Sequence, residues 1–98
     1  MVKLNWLNEA NYDLIQIYNY IHKDSVYYSI KTINDIVDLT ENLKPMKYIG
    51  RKVPEYNEDN IRELIYKSYR IIYEVQTNKI LIRGIWHSAR ILPKQLIS

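Results

Sequence analysis

The sequence predicts an α+β fold: an N-terminal strand, a two-helix hairpin and a three-stranded antiparallel meander, joined in one four-stranded sheet with both helices on one face. Three observations predict it. Residues 60–87 hold three runs rich in Ile, Val and Tyr, the residues that suit a pleated, half-buried surface. Short polar breaks, Lys67-Ser68 and Gln76-Thr77-Asn78, separate the runs at hairpin spacing. Residues 8–44 instead carry apolar side chains at the three- and four-residue spacing of amphipathic helices.

Taken in order, Val2, Leu4 and Trp6 alternate with Lys3 and Asn5, which predicts a short strand with the apolar side chains inward. Asn8 suits a helix cap, and Glu9 suits a first turn, where the helix dipole favours negative charge. Ala10, Leu14, Ile17 and Ile21, with Tyr18 beside them, predict a helix over 8–22. Asn11, Asp13, Gln16 and Asn19 fall on its wet side. Asp24 or Ser25 caps a second helix with a stripe of Val26, Ile30, Ile33, Val37 and Leu43, widened by Ile36 and Leu39. Asp35, Asp38 and Glu41 face outward. Pro45 ends this helix, because the residue before a proline avoids the helical region. Residues 45–59, with Pro45, Gly50 and Pro54, read as one long loop.

Parity then assigns the strand faces. In the second run Tyr69, Ile71, Tyr73 and Val75 share one face, and Arg70, Ile72 and Glu74 the other. In the third, Ile80, Ile82, Gly84 and Trp86 oppose Leu81, Arg83, Ile85 and His87. Asn78 supplies the positive φ of the hairpin. One sheet face is thus wholly apolar, and the helical hairpin is its natural cover. The other is mixed and carries Arg70, Glu74, Arg83 and His87. Pro93 argues against a long helix in the tail, 91–98.

Ninety-eight residues make one domain, which buries roughly 60–65% of the surface its unfolded chain exposes. There is no cysteine, so no disulfide framework is expected. No run reaches the roughly 18 apolar residues of a membrane span, and the N-terminus lacks a signal-peptide pattern, so a cytoplasmic protein is expected. The net charge of +3 is uneven: residues 1–43 hold three lysines and six acids, and residues 44–98 hold eleven basic residues and five acids. The basic half contains the sheet, which favours a nucleic acid or an acidic protein segment as partner there.

Two glycines cannot make a glycine-rich phosphate loop, and no serine sits in a nucleophile elbow. His22 and His87 lack ligand spacing, so neither metal nor cofactor is expected. What remains is a basic and histidine constellation. Arg70, Arg83, His87 and Arg90 suit phosphate, which guanidinium meets bidentately. His87 can move a proton near neutral pH, and Glu55 or Glu63 can serve as base. The plainer reading makes Arg70 and Glu74 solvated strand residues and His87 the end of a strand.

The order of elements, with "GRKVPE" at 50–55, "NIREL" at 60–64, "YRIIYEV" at 69–75, "IWHSAR" at 85–90 and the spacing of Trp6, Ala10, Leu14 and Ile21, resembles the ParE/RelE superfamily of bacterial toxins. The resemblance implies a type II toxin neutralised by a cognate antitoxin that wraps the hairpin and the sheet. It leaves homodimer and hetero-oligomer with the antitoxin both open. A ParE-like chain would poison DNA gyrase through a binding surface, with Arg62, Arg70, Arg83 and Arg90 as contact candidates. A RelE-like chain would cleave ribosome-bound mRNA without metal. In that case Arg70 would hold the phosphate, His87 would be general acid, Arg90 would support the phosphate, and Glu55 or Glu63 would be base. Ser88 stands where that branch often has a tyrosine, and Arg62-Glu63-Leu64 replaces its lysine-rich strand. The ParE-like reading is therefore preferred. A non-toxic binding module of the same fold is the third alternative.

Overall fold

A computed structural model describes residues 2–94. In chain order the elements are β1 (Lys3–Trp6), α1 (Asn8–His22), α2 (Val26–Glu41), β2 (Arg51–Lys52), β3 (Ile61–Tyr66), β4 (Tyr69–Val75) and β5 (Lys79–His87). One sheet runs in the order β1-β5-β4-β3-β2. The expected meander of β3, β4 and β5 is antiparallel throughout. Two features correct the expected four-stranded antiparallel sheet. β1 pairs with β5 in parallel, Lys3 opposite Lys79 and Trp6 opposite Ile82. Alternation identifies a strand but not its direction, which depends on where the helical hairpin returns the chain. Second, Arg51–Lys52 lies inside the expected loop and forms a fifth strand on the outer edge of β3. Two residues are too few to display a period. Of the tail, residues 95–98 lie outside the described residues.

The helices keep their expected places with local changes. Leu7, not Asn8, is the N-cap of α1, and no side chain caps it. Ser25 caps α2, its hydroxyl accepting the Tyr28 N–H at 3.1 Å. The buried side of α2 is Ser29, Thr32, Ile36 and Thr40, while Val26 and Ile30 are exposed. The stripe is thus rotated toward small residues. Ser29 and Thr40 donate their hydroxyls to the carbonyls of Val26 and Val37, at 2.6 and 2.7 Å. With that polar group satisfied inside the helix, short side chains fill a tight contact at little cost. Asp35, expected in solvent, accepts the Tyr66 hydroxyl at 2.7 Å and pairs with Lys31. The Tyr66 hydrogen bond, then Lys31, holds its carboxyl below the usual range.

The main core joins Ala10 and Ile17 of α1 and Ile36 and Leu43 in and beyond α2 to Ile71, Tyr73 and Val75 of β4 and Ile80, Ile82 and Ile85 of β5. The face assigned to 69, 71, 73 and 75 therefore packs under the helices as expected. In β5 the parity breaks. Tyr73 faces Ile82 but Ile72 faces Gly84, so Arg83 is an extra residue on one strand, a β-bulge. Everything after it changes sides: Ile85 turns to the core opposite Ile71, and Trp86 turns away to face Arg70. That corrects the expected grouping of Trp86 with Ile82 and of His87 with Arg83. The β1 ladder also stops at Ile82, and beyond it Asp13 of α1 accepts the Ile85 N–H at 3.0 Å. Asp13, expected on the wet side, is half-buried, and that burial raises its carboxyl. The positive φ falls at Lys67 in the β3–β4 turn, not at Asn78.

The mixed face is partly covered. Val53, Ile61, Ile72 and Leu92 form a second core, with Tyr56 and Trp86 against it. Tyr56 donates its hydroxyl to the Pro93 carbonyl at 2.6 Å and pins the tail. The Trp86 ring lies over Gly84, leaving no room for a Cβ there. Gly50 is likewise hemmed in by the Glu63 carbonyl and the Tyr73 ring, and its N–H donates to the Tyr73 hydroxyl at 2.9 Å.

Candidate functional site

The chemistry-bearing side chains meet at the β2–β3–β4 side of the second face. Arg70 sits opposite Ile65 of β3 and Trp86 of β5. Its Nε donates to Glu63 Oε1 at 2.6 Å, and its Nη1 and Nη2 donate to the two oxygens of Glu55, each at 2.7 Å. The second Glu63 oxygen accepts from Arg51 Nε at 2.5 Å. Cations and anions thus alternate as Arg51–Glu63–Arg70–Glu55. The Glu63 side chain has no exposed surface and Arg70 has 10%, against 44% for Glu55 and 61% for Arg51. The chain of ion pairs runs from a dry centre to a wet rim. A buried carboxylate needs such pairing, because an isolated charge is very costly to desolvate. β2 contributes by register: it sets Arg51 directly opposite Glu63. An open cleft of about 530 Å³ beside the pairs is lined by Arg51, Pro54, Glu55, Ile65, Tyr69, Arg70 and Ser88.

The pairing fixes protonation. The Arg70 hydrogen bonds hold the Glu55 carboxyl at about 2. The same bonds, Glu55 first, push the Arg70 guanidinium above its ordinary value. Glu55 is therefore ionised across the physiological range and a weak base. A depressed carboxyl stabilises the fold above its unfolded pKa of about 4.3 and ceases to do so as pH falls toward 2. Acid unfolding should display this. The stability difference between the wild-type chain and Glu55→Gln is expected to be full at pH 6, to shrink below about pH 4 and to vanish near pH 2. A difference that grows on acidification would contradict the pairing.

The other expected site residues lie elsewhere. Arg83 is buried and donates to Glu74 Oε1 at 2.5 Å, while Glu74 Oε2 accepts from Gln76 at 2.9 Å. Arg62 points to the helix side of the sheet, as do its neighbours Leu64 and Tyr66, and it donates to the carbonyls of Asp59 and Gly50 at 2.8 and 3.1 Å. His87 ends β5 on the side away from Arg70. Its exposed ring meets Tyr69 edge-on at 5.7 Å, and its Nδ1 accepts the Ala89 N–H at 3.1 Å. Arg90 is exposed, and its charge acts on Asp13. The structure thus brings together Arg70, Glu55 and Glu63 but sets His87, Arg83, Arg62 and Arg90 apart from them. Sequence reasoning gives no role to Arg51. Its signal is cross-strand register, which appears only once β2 is paired. Among the described residues no helix is long and apolar enough to cross a membrane, and no group of three or more His, Cys, Asp or Glu could hold a metal ion.

Comparison with known proteins gives the class and then the family. A family model described as the ParE toxin of type II toxin-antitoxin system, parDE, matches residues 4–92. The match spans nearly all of the described chain, and the class is that of toxins from type II toxin-antitoxin systems. The chain belongs to the ParE toxin family. Membership implies an antitoxin as its partner. A solved structure described as the chromosomal ParDE TA system from P. aeruginosa is similar in fold, with a TM-score of 0.73 at 24% identity over 89% of this chain and 96% of that one. No curated protein sequence matches.

Proposed function

We propose that this ParE-family toxin arrests growth by binding DNA gyrase in the cytoplasm and holding it on cleaved DNA, and that an antitoxin keeps it inactive in a complex. The binding surface, not a proton-transferring group, carries the effect. The observation that supports this reading is the chain of ion pairs that engages Arg70. A nuclease needs a phosphate-binding cation, a base and an acid converging on one reacting atom. Here Arg70 is bidentate to Glu55, both carboxylates near it are engaged, and His87 lies on the other side of β5. Family membership agrees with the reading.

Two assays run side by side test it. Purified chain with gyrase and plasmid DNA should accumulate cleaved complexes, while primer extension on translated mRNA should find no new ends. His87→Ala should still arrest growth, because it removes an exposed ring and no catalytic group. Removing a general acid typically costs about 10²–10⁴ in rate. Codon-specific mRNA cuts, abolished in His87→Ala and without trapped gyrase, would replace this reading with the ribosome-dependent nuclease.

A further inference from the structure

The sheet edge formed by β2 carries a pattern that the ion-pair chain does not use. Residues 44–52 hold four basic residues and no acid; Arg51 belongs to the ion-pair chain and Lys44 pairs with Glu41 at 2.9 Å, which leaves Lys47 and Lys52. Antiparallel register sets Lys52 directly opposite Arg62, on the face away from Arg51 and Glu63. Like charges directly opposite one another on a sheet repel. The carboxylate of Asp59 is 3.3 Å from Lys52 Nζ, but its side chain is 85% exposed, and so exposed a pair offsets little. Beside these cations stands Tyr48, half of whose surface is open. The Arg62 guanidinium lies 5.1 Å from its ring centroid and the Lys47 ammonium 6.0 Å. Met46 and Ile49 next to it are also exposed.

We infer that this edge binds a segment of single-stranded nucleic acid, with Tyr48 stacking on a base and Lys47, Lys52 and Arg62 meeting the flanking phosphates. A cationic track beside an exposed aromatic ring is the combination that single-strand binding uses, because every base offers a face to stack on. Duplex bases are already stacked and offer no such face at the groove. An acidic peptide would satisfy the cations but offer the exposed part of the Tyr48 ring no base to stack on. The inference requires neither gyrase nor an enzyme, so its test is separate from that of the gyrase reading, although Arg62 is a contact candidate in both.

Fluorescence anisotropy of a labelled 15-mer of thymidine nucleotides with the full chain tests it. Binding at low salt should weaken with a log–log slope of about −2, as three phosphate contacts on a single strand require. Lys47→Glu with Lys52→Glu should lower affinity at least about tenfold. Tyr48→Ala should lower it about fivefold or more, the loss of one stacked base, while Tyr48→Phe should retain it. Should Tyr48→Ala lower the melting temperature, Tyr48→Leu keeps apolar bulk without the ring, and the same loss is expected of it. Lys3→Glu with Lys79→Glu makes the same charge change at the opposite edge, where these lysines also face one another. Compared at about 0.1 M salt, where exposed charges more than the roughly 10 Å Debye length away are largely screened, it should change affinity less than about twofold. Equal losses from the two double variants would reduce the effect to net charge and overturn the site. Competition by poly-glutamate as effective as by unlabelled oligonucleotide would reassign the edge to an acidic polypeptide. Indifference to Tyr48→Leu would remove the stacking role.

Discussion

Arg70→Ala is expected to destabilise the chain by about 3–5 kcal/mol, the cost of breaking a buried ion pair from one side. The reason is what it leaves behind. Glu63 has no exposed side-chain surface and would keep only Arg51, itself 61% exposed, as its cation. Glu55 would lose both of its short bonds at once. Urea denaturation should show a lower midpoint at unchanged slope. The paired replacement Arg70→Met with Glu63→Met should lose much less, because well-packed apolar residues often replace a buried pair without penalty. A loss below about 1 kcal/mol from Arg70→Ala alone would mean that the pairs behave as exposed surface bridges do.

Ile71→Ala is expected to cost about 2–5 kcal/mol, through lost transfer energy and the cavity left behind. Ile71 is fully buried beneath the helices. Ile85→Ala should fall in the same range, because the bulge at Arg83 turns Ile85 into that core at 4% exposure. Ile15→Ala, at a position 56% exposed on α1, should stay within about 0.5 kcal/mol in the isolated chain. Equal midpoints for Ile85→Ala and Ile15→Ala in chemical denaturation would contradict the bulge. The original strand parity places Ile85 outside the core, so this comparison measures the change of face directly.

Much of the fold was legible because it rests on local periodicity. The spacing of Ala10, Leu14, Ile17 and Ile21 gave α1 its full range, and the Ile- and Tyr-rich runs gave β3, β4 and β5 with their antiparallel order. Of the site, Arg70, Glu55 and Glu63 were legible as residues whose chemistry suits a charged site. Their mutual pairing was not, because Glu55 and Arg70 are fifteen residues apart and meet only when the loop folds over the sheet. Arg51 was illegible for the same reason.

Residue type and alternation by themselves determined the two helices, the meander and the core face of β4. Tertiary structure decided the rest. It set the parallel direction of β1, which depends on chain return and not on side-chain pattern. It made β2 a strand, since a ladder forms wherever backbone lies beside an open edge. It rotated the buried stripe of α2 onto Ser29, Thr32, Ile36 and Thr40, where close approach favours short side chains. It placed the bulge at Arg83, and with it the faces of Ile85, Trp86 and His87, because one inserted residue reverses every later side chain. And it partly covered the mixed face with a second core and a chain of ion pairs, since a sheet face that carries Glu63 and Arg70 out of water is stable only when each charge finds its opposite.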